Sequence, residues 1–187
     1  MQKIPLANER RLRSFDASHG QPLQPLINRM IIMQKIIDAL EQNYLLIKKE
    51  YEAAPEGMFR GWKERYLFNE GWNVLGLRLK GTDLREGHEQ CPILSKIILE
   101  FSDVIDTCGF SVLNPNTIIS PHVGYTDTVL RCHLGLQIPE GDVALKVDGQ
   151  IIKWQEGKAF TFDDTLLHEA WNNTEQKRAV VLLDLKK

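Results

Sequence analysis

The chain has 187 residues, of which 43% are hydrophobic and 26% are charged, a composition typical of a globular protein with one folded core. Its 23 Lys and Arg residues and 25 Asp and Glu residues give a formal net charge of −2, which argues against a nucleic-acid partner. No apolar run in the sequence approaches the roughly 20 residues of a membrane span, so we expect no membrane partner either.

The cysteines indicate a reducing compartment. Cys91, Cys108 and Cys132 are scattered along the chain and form no Cys-x-x-Cys pair. A disulfide framework or a structural zinc site is therefore not expected. The N-terminus also carries no hydrophobic signal core. These features predict a cytoplasmic protein.

Residues 1–25 are polar and contain several prolines, so they are predicted to form an irregular arm before a single domain over residues 26–187. A first helix is predicted over about residues 26–52. Its apolar residues recur at alternating steps of four and three, namely Leu26, Met30, Met33, Ile37, Leu40, Tyr44 and Ile47. Such a stripe fits a helix packed on a sheet, and its heptad-like spacing leaves open a homodimer through residues 26–47.

The rest of the chain changes from helical to β periodicity. A strand is predicted over residues 72–79 and a second helix over about 92–105, with Pro92 in its first turn. Further short strands are predicted over residues 110–113, 129–138, 143–147, 150–154, 159–162 and 178–185, with a tight hairpin at Asp148-Gly149. The fold class is therefore mainly β with flanking helices: a sandwich or barrel core over about residues 60–187, preceded by a helical segment.

The strand over residues 129–138 has one apolar and one polar face. Strict alternation places Cys132 and Leu134 on the first face and Arg131 and His133 on the second. The polar face either meets water or lines a cavity inside the barrel. In a cavity, Arg131 and His133 would converge on one ligand, and a guanidinium suits a carboxylate.

Three further side chains are candidates for the same cavity. His122 and His168 each lie where a turn enters a predicted strand, so they are either packed histidines or two ligands of one metal. Neutral imidazole suits Fe(II), Zn or Cu. Arg178 heads the last apolar strand, as a solvated strand end or as a cation at the barrel mouth. Trp154 and Trp171 are interpreted as packing residues.

Two segments, PHVGYTDTVLRCHLGLQIP and FDD-x-x-x-HEAWN followed by Arg178, resemble the aspartyl/asparaginyl β-hydroxylase family of Fe(II)/2-oxoglutarate oxygenases. The resemblance covers roughly residues 60–187. It implies a double-stranded β-helix, a jelly-roll or cupin-like barrel with the metal at its open end. It also implies hydroxylation of an unactivated C–H bond with O2 as oxidant and succinate and CO2 as co-products.

The resemblance also implies roles for the candidate residues. His122 and His168 carry over as the iron ligands. Arg178, helped by Ser111, would bind the distal carboxylate of 2-oxoglutarate. Arg131 and His133 would hold either the iron-chelating end of 2-oxoglutarate or the nearby substrate, which makes Arg131 a catalytic candidate beside the two ligands.

One position departs from most related oxygenases, which place a carboxylate ligand two residues after the first histidine. Gly124 stands there in this chain, and the family commonly shows that gap. The turn residues Asp163 and Asp164 are expected to be structural rather than a third ligand.

The sequence leaves the substrate and two alternatives open. A small-molecule or peptide substrate is expected: a soluble amino acid, a peptide or a biosynthetic intermediate. A halogenase variant, with chloride in the place of the missing carboxylate, is one alternative. A non-catalytic cupin-like protein that binds metal or 2-oxoglutarate is the other.

Overall fold

The computed structural model describes residues 23–124 and 126–187, so most of the predicted arm, residues 1–22, lies outside the described residues. The described helices are α1 (Leu23–Gln42), α2 (Tyr44–Ala53), α3 (Arg85–Gln90) and α4 (Pro92–Glu100), with short 3-10 helices at Glu56–Met58 and Arg65–Leu67. None of these described helices combines the length and the apolar character needed to cross a membrane.

The strands form two antiparallel sheets that face each other. They are β1 (Arg60–Gly61), β2 (Trp72–Leu79), β3 (Thr82–Asp83), β4 (Ile105–Leu113), β5 (Thr117–His122), β6 (Val129–Gln137), β7 (Val143–Val147), β8 (Gln150–Ile152), β9 (Ala159–Phe162), β10 (His168–Asn172) and β11 (Arg178–Lys186). The large sheet has the order β1-β2-β4-β11-β6-β9, with β3 paired to β2. The small sheet has the order β5-β10-β7-β8.

The two faces of the large sheet have different neighbours. On β11, Val181 and Leu183 belong to the apolar cluster that also contains Ile36, Leu40 and Ile98 of the helices, so the helices cover the outer face. Val180, the residue before Val181, packs in a second cluster with side chains of the small sheet. The alternation along one strand therefore separates a helix-covered core from the space between the sheets.

The predicted first helix is two helices. It begins at Leu23, and Asn43 separates α1 from α2 while its side-chain amide donates to the carbonyl oxygen of Ala39. An asparagine side chain competes with the helical backbone for hydrogen bonds, which favours an interruption at this position. The C-terminal part of the apolar stripe packs on the sheet, with Leu40 and Ile47 fully buried. Met30 is 51% exposed, so the homodimer through this helix stays a prediction.

The predicted second helix is shorter than expected. It ends at Glu100, and Ile105 begins β4 instead of closing a helix over residues 92–105. Ile105 is four residues after Phe101 and fits a helical stripe, but it also begins the alternating pattern of β4. The strand conformation prevails because pairing with Leu185 of β11 places Ile105 in the core, where it is completely buried.

The predicted hairpin at Asp148-Gly149 is confirmed. Both residues have positive φ values, 47° and 76°, and Val147 pairs with Gln150 across the turn. Two consecutive positive φ values match the right-handed twist of the flanking strands, and Asp-Gly is a favoured pair for this turn.

The predicted strand over residues 72–79 is β2, with the same bounds. On β6, Cys132 and Leu134 are buried in the helix-side cluster. Arg131 and His133 point the other way and line the space between the two sheets. The cavity interpretation of this polar face is therefore confirmed, and the interpretation of a water-facing strand is wrong.

Candidate active site

His122 and His168 are direct cross-strand neighbours in the small sheet. The register of β5 and β10 pairs these two residues, and their ring centroids are 4.2 Å apart. His168 begins its strand as expected, whereas His122 ends β5 rather than beginning a strand. Since antiparallel partners at one level share a face, the two imidazoles meet in the same space.

A β-bulge turns His122 toward the interior. The register shifts between the pair of His168 with His122 and the pair of Ala170 with Ile119, so β5 contains one more residue than β10 over this interval. Ile119 is buried on the inner face, and strict alternation from it would turn Pro121 inward instead of His122. Bulges beside active sites commonly redirect a side chain in this way.

Both imidazoles keep one nitrogen free. The Nδ1 atoms of His122 and His168 lie 2.8 Å from the carbonyl oxygens of Ser120 and Leu166, respectively. Because a carbonyl oxygen only accepts, each Nδ1 donates its hydrogen and each Nε2 keeps its lone pair. Burial lowers the pKa of His168 to about 4, so that residue is neutral at physiological pH. Two imidazoles oriented in this way by their Nδ1 contacts are suited to bind a divalent metal.

Gly124 cannot carry the carboxylate that most related oxygenases have two residues after the first histidine. A Cβ on Gly124 would lie 2.5 Å from Oδ2 and 2.6 Å from Cγ of Asp164. Within residues 23–124 and 126–187, no group of three or more His, Cys, Asp or Glu side chains is placed to hold one metal. The candidate metal centre therefore consists of two histidines.

Arg131 lies between two carboxylates. Its Nε is 2.9 Å from Oδ1 of Asp184, and its Nη2 is 3.1 Å from Oδ2 of Asp164. Asp164 is buried, and its Oδ1 has no hydrogen-bond partner among the described residues. Arg131 lines the cavity as predicted, but its guanidinium is already neutralised, so its contact with 2-oxoglutarate or substrate stays a prediction.

Arg178 is a buried cation without a carboxylate partner among the described residues. Its residue surface is 2% exposed, and its Nη1 donates to the backbone oxygen of Ser111 at 3.2 Å. Its Nε has no partner, and the guanidinium carbon lies 4.6 Å from the Trp154 ring centroid. Burial lowers the pKa of this guanidinium. Since an unpaired buried charge costs several kcal/mol, this position is suited to bind an anion.

Ser111 and His133 provide further donors beside Arg178. The Ser111 hydroxyl accepts a hydrogen bond from the Trp72 indole at 3.0 Å, which leaves its own hydrogen free. The Nδ1 of His133 accepts from the Trp154 indole at 3.2 Å, so Nε2 carries the hydrogen, and it has no partner among the described residues. Burial lowers the pKa of His133 well below its ordinary value.

These side chains belong to one narrow cavity between the sheets. Every residue predicted for the site lines it, namely Ser111, His122, Arg131, His133, His168 and Arg178. The contributions of Trp72 and Asp184 were not predicted from the sequence, which indicated only packing for Trp154 and only a structural role for Asp164. Asp184 had a detectable signal, because it follows Arg178 by an even number of residues on β11 and so shares its face.

A larger groove of about 1270 Å³ opens beside this cavity, on the part of the inner face that the small sheet leaves uncovered. The groove and the cavity share Ser111, Arg131 and Leu182. Apolar side chains of its lining include Met58, Trp62, Val74, Leu79 and Leu84. The cavity that holds the candidate metal ligands therefore borders a larger, partly apolar groove.

The sequence profile of a family described as "Aspartyl/Asparaginyl beta-hydroxylase" matches residues 41–187. The chain belongs to this family. The family assignment made from the two sequence segments is confirmed, and its coverage extends upstream into α1.

Proteins similar to this chain in sequence carry the names of different hydroxylases. An ornithine lipid ester-linked acyl 2-hydroxylase of Rhizobium tropici is 45% identical over 118 residues, 62% of this chain and 42% of that protein. Aspartate beta-hydroxylase domain-containing protein 2 of Xenopus tropicalis is 32% identical over 162 residues, 80% of this chain and 44% of that protein. The chain thus spans less than half the length of these relatives.

The fold also matches solved structures. A Pseudomonas putida prolyl-4-hydroxylase is similar with a TM-score of 0.51 and 15% identity, over 80% of this chain and 87% of that chain. Together with the two facing antiparallel sheets, this similarity confirms the double-stranded β-helix that the sequence resemblance implied.

Proposed function

We propose that this member of the aspartyl/asparaginyl β-hydroxylase family is an Fe(II)- and 2-oxoglutarate-dependent hydroxylase in the cytoplasm. One observation carries the proposal: Arg178, a buried cation without a carboxylate partner among the described residues, lines the same cavity as two histidines with free Nε2 atoms. A metal and a dicarboxylate would satisfy both of these features together.

The described residues fit these two groups. His122 and His168 would hold the metal through Nε2, and Arg178 with Ser111 would bind the distal carboxylate of 2-oxoglutarate. His133 would donate its Nε2 hydrogen to an oxygen of 2-oxoglutarate or of the substrate. Iron loaded with 2-oxoglutarate supplies, with O2, the hydroxylation of an unactivated C–H bond, and the co-products are succinate and CO2.

The protein's own contribution is orientation. Each metal-binding imidazole is fixed by the backbone carbonyl that its Nδ1 contacts. The Asp164 carboxylate, which pairs with Arg131, fills the space beside Gly124 and leaves no room for a third protein ligand on residue 124. With His122 and His168 as its protein ligands, a bound metal would keep coordination positions for 2-oxoglutarate and the oxidant.

An anaerobic titration tests the proposal directly. Fe(II) and 2-oxoglutarate are added to metal-free protein, the visible charge-transfer band is recorded, and oxygen is then admitted while succinate is measured. A band followed by succinate supports a hydroxylase, and repeating the assay with chloride tests the halogenase alternative. A band without succinate supports the binding-protein alternative, and the absence of a band contradicts the assignment of His122 and His168.

For the substrate, we propose a soluble amino acid, a peptide or a biosynthetic intermediate, as the sequence suggested. The groove favours a second candidate, an acyl chain, because its lining is partly apolar and its volume of about 1270 Å³ exceeds the needs of a free amino acid. The Rhizobium tropici relative is named as a hydroxylase of a lipid acyl group, which is the same substrate chemistry. Stimulation of succinate formation by amino acids and peptides, or by detergent-dispersed acyl amides, distinguishes the two classes.

A groove variant tests where that substrate lies. Val74 is half-buried in the groove and does not line the metal cavity. Val74→Phe is expected to raise the KM of the stimulating substrate and to leave the charge-transfer band unchanged. Ile151→Phe, on the exposed strand β8 outside both spaces, is the matched control.

The homodimer through the first helix remains part of the proposal. Ile27, Met30 and Ile31 of α1 are each about half exposed. Met30→Glu is expected to convert a dimer to a monomer in size-exclusion chromatography, because a charge in an apolar seam is costly. Identical elution of Met30→Glu and the unmodified chain would contradict a dimer through this helix.

A further inference from the structure

Trp154 contacts both His133 and Arg178, the two side chains with hydrogen-bond donors directed toward the cavity. Its indole nitrogen lies 3.2 Å from Nδ1 of His133, and its ring centroid lies 4.6 Å from the guanidinium carbon of Arg178. Trp154 itself is buried, with 4% of its surface exposed. The sequence predicted only a packing role for Trp154, but the residue also donates a hydrogen bond to His133 and places its ring against the Arg178 guanidinium.

The hydrogen bond to His133 has a chemical consequence. An indole N–H can only donate, so the Nδ1 that receives it carries no hydrogen. Burial keeps His133 neutral, and a neutral imidazole has one hydrogen, which must then be on Nε2. That Nε2 is buried and has no partner among the described residues. Trp154 therefore fixes His133 as a donor toward the cavity.

The contact with Arg178 supports a charge that has few other partners. Its described contacts are the Ser111 carbonyl and the face of the Trp154 ring. A cation over the face of tryptophan is stabilised by the ring quadrupole, and more strongly when water is excluded. Trp154 therefore contacts neutral His133 through the indole N–H at its ring edge, and the Arg178 cation through its ring face.

The segment that carries Trp154 can lie close to β6 because residue 135 of that strand is glycine. Gly135 lies two residues after His133 on β6, and it forms an isolated bridge with Glu156 of the segment after Trp154. A Cβ on Gly135 would collide with the backbone oxygen of Gln155. The missing side chain allows this segment to approach β6, which places the indole beside the imidazole.

We propose that Trp154 is a positioning residue that sets the His133 tautomer and supports Arg178, so that both donors meet the carboxylate groups of a bound dicarboxylate. The assignment to 2-oxoglutarate rests on the proposed function. The coupling between Trp154 and His133 does not, because both contacts are present in the protein alone.

The first test uses the unmodified protein without metal. Histidine and tryptophan are labelled with ¹⁵N, and the His133 signals are assigned from a His133→Gln sample. We expect a protonated Nε2, an unprotonated Nδ1, and a scalar coupling across the hydrogen bond to the Trp154 indole nitrogen. A His133 ring protonated at Nδ1 overturns the proposal, and this measurement requires no Trp154 variant to fold.

The second test compares two tryptophan variants. Trp154→Phe removes the indole N–H and keeps an aromatic face, whereas Trp171→Phe removes the indole hydrogen bond to Asp142 on the outside of the small sheet. Trp154→Phe is expected to give mixed His133 tautomers and to weaken 2-oxoglutarate binding about tenfold, the effect of losing one directed hydrogen bond. The kcat at saturating 2-oxoglutarate should change much less than the KM.

Trp171→Phe is expected to leave the His133 signals and the 2-oxoglutarate KM as they are in the unmodified chain. Equal His133 spectra in Trp154→Phe and the unmodified chain overturn the positioning role, whatever the activity. Failure of the unmodified protein to bind 2-oxoglutarate overturns the proposed function instead, while the tautomer measurement still decides whether Trp154 controls His133.

Discussion

The carboxylate of Asp164 occupies the space that a side chain on residue 124 would need, with Oδ2 2.5 Å from the Cβ position of that residue. The backbone N–H of Gly124 also donates to the carbonyl oxygen of Asp164 at 2.7 Å. Arg131 holds the carboxylate in place through Nη2. Gly124 and Asp164 are thus complementary: the carboxylate at this place in the fold belongs to residue 164, and not to residue 124, the position from which related oxygenases supply their ligand.

Gly124→Asp is therefore expected to destabilise the protein without adding a metal ligand. The new side chain collides with Asp164 and places a second carboxylate beside it, and overpacking of this kind costs about 1–3 kcal/mol. Thermal unfolding and anaerobic Fe(II) titration measure the two effects.

The double variant Gly124→Asp/Asp164→Gly is the control, since it moves the carboxylate to residue 124 and removes the collision. It is expected to recover part of the lost stability. If Gly124→Asp alone were as stable as the unmodified chain and bound Fe(II) more tightly, the collision between residue 124 and the Asp164 carboxylate would be contradicted.

His168→Ala is expected to abolish Fe(II) binding and succinate formation, because it removes one of the two proposed histidine ligands. Anaerobic calorimetry with Fe(II) alone measures the first effect independently of catalysis. His88→Gln is the control, because His88 lies beside Asp83, away from the metal cavity. Fe(II) affinity equal to that of the unmodified chain would remove His168 from the metal site.

Arg178→Met is expected to have opposite effects on ligand binding and on folding. Affinity for 2-oxoglutarate should fall at least about tenfold, since loss of one partner of a buried charge pair typically costs 2–5 kcal/mol. The free energy of unfolding without ligand should stay equal or rise, because methionine fills similar space without a buried charge. Isothermal titration and urea unfolding give the two values, and a large loss of ligand-free stability would contradict an uncompensated cation.

The stability of the metal-free protein is expected to depend on pH through His168. Its pKa is about 4 in the folded protein against the ordinary 6.5, so between these values the unfolded chain binds more protons. Stability therefore falls as the pH falls from about 6.5 to about 4. Urea unfolding at several pH values should show a shallower slope for His168→Gln, while His133 and the carboxylates contribute equally to both proteins. Parallel slopes would contradict the lowered pKa.

The sequence predicted the double-stranded β-helix and several of the side chains that the fold brings together in one cavity. Alternation along residues 129–138 placed Arg131 and His133 on the cavity face, and the two segments indicated His122, His168 and Arg178, which line the same cavity. The β-bulge before His122 was not predictable, because it depends on the pairing of β5 with β10 and not on local composition.

Two other features depend on contacts between distant parts of the chain. The end of α4 at Glu100 follows from competition between helix and sheet for Ile105, which local periodicity does not resolve. The role of Trp154 follows from the absence of a side chain at Gly135 on another strand. Both require knowledge of which segments are neighbours in space.

The candidate site draws its groups from opposite layers of the fold. The candidate metal ligands His122 and His168 belong to the small sheet, whereas Arg178 and Ser111 belong to the large sheet. A 2-oxoglutarate molecule that reached from the metal to Arg178 would therefore cross-link the two sheets. Metal and dicarboxylate together should then slow amide hydrogen exchange in β5 and β10 more than the sum of their separate effects, because only the pair connects the two sheets.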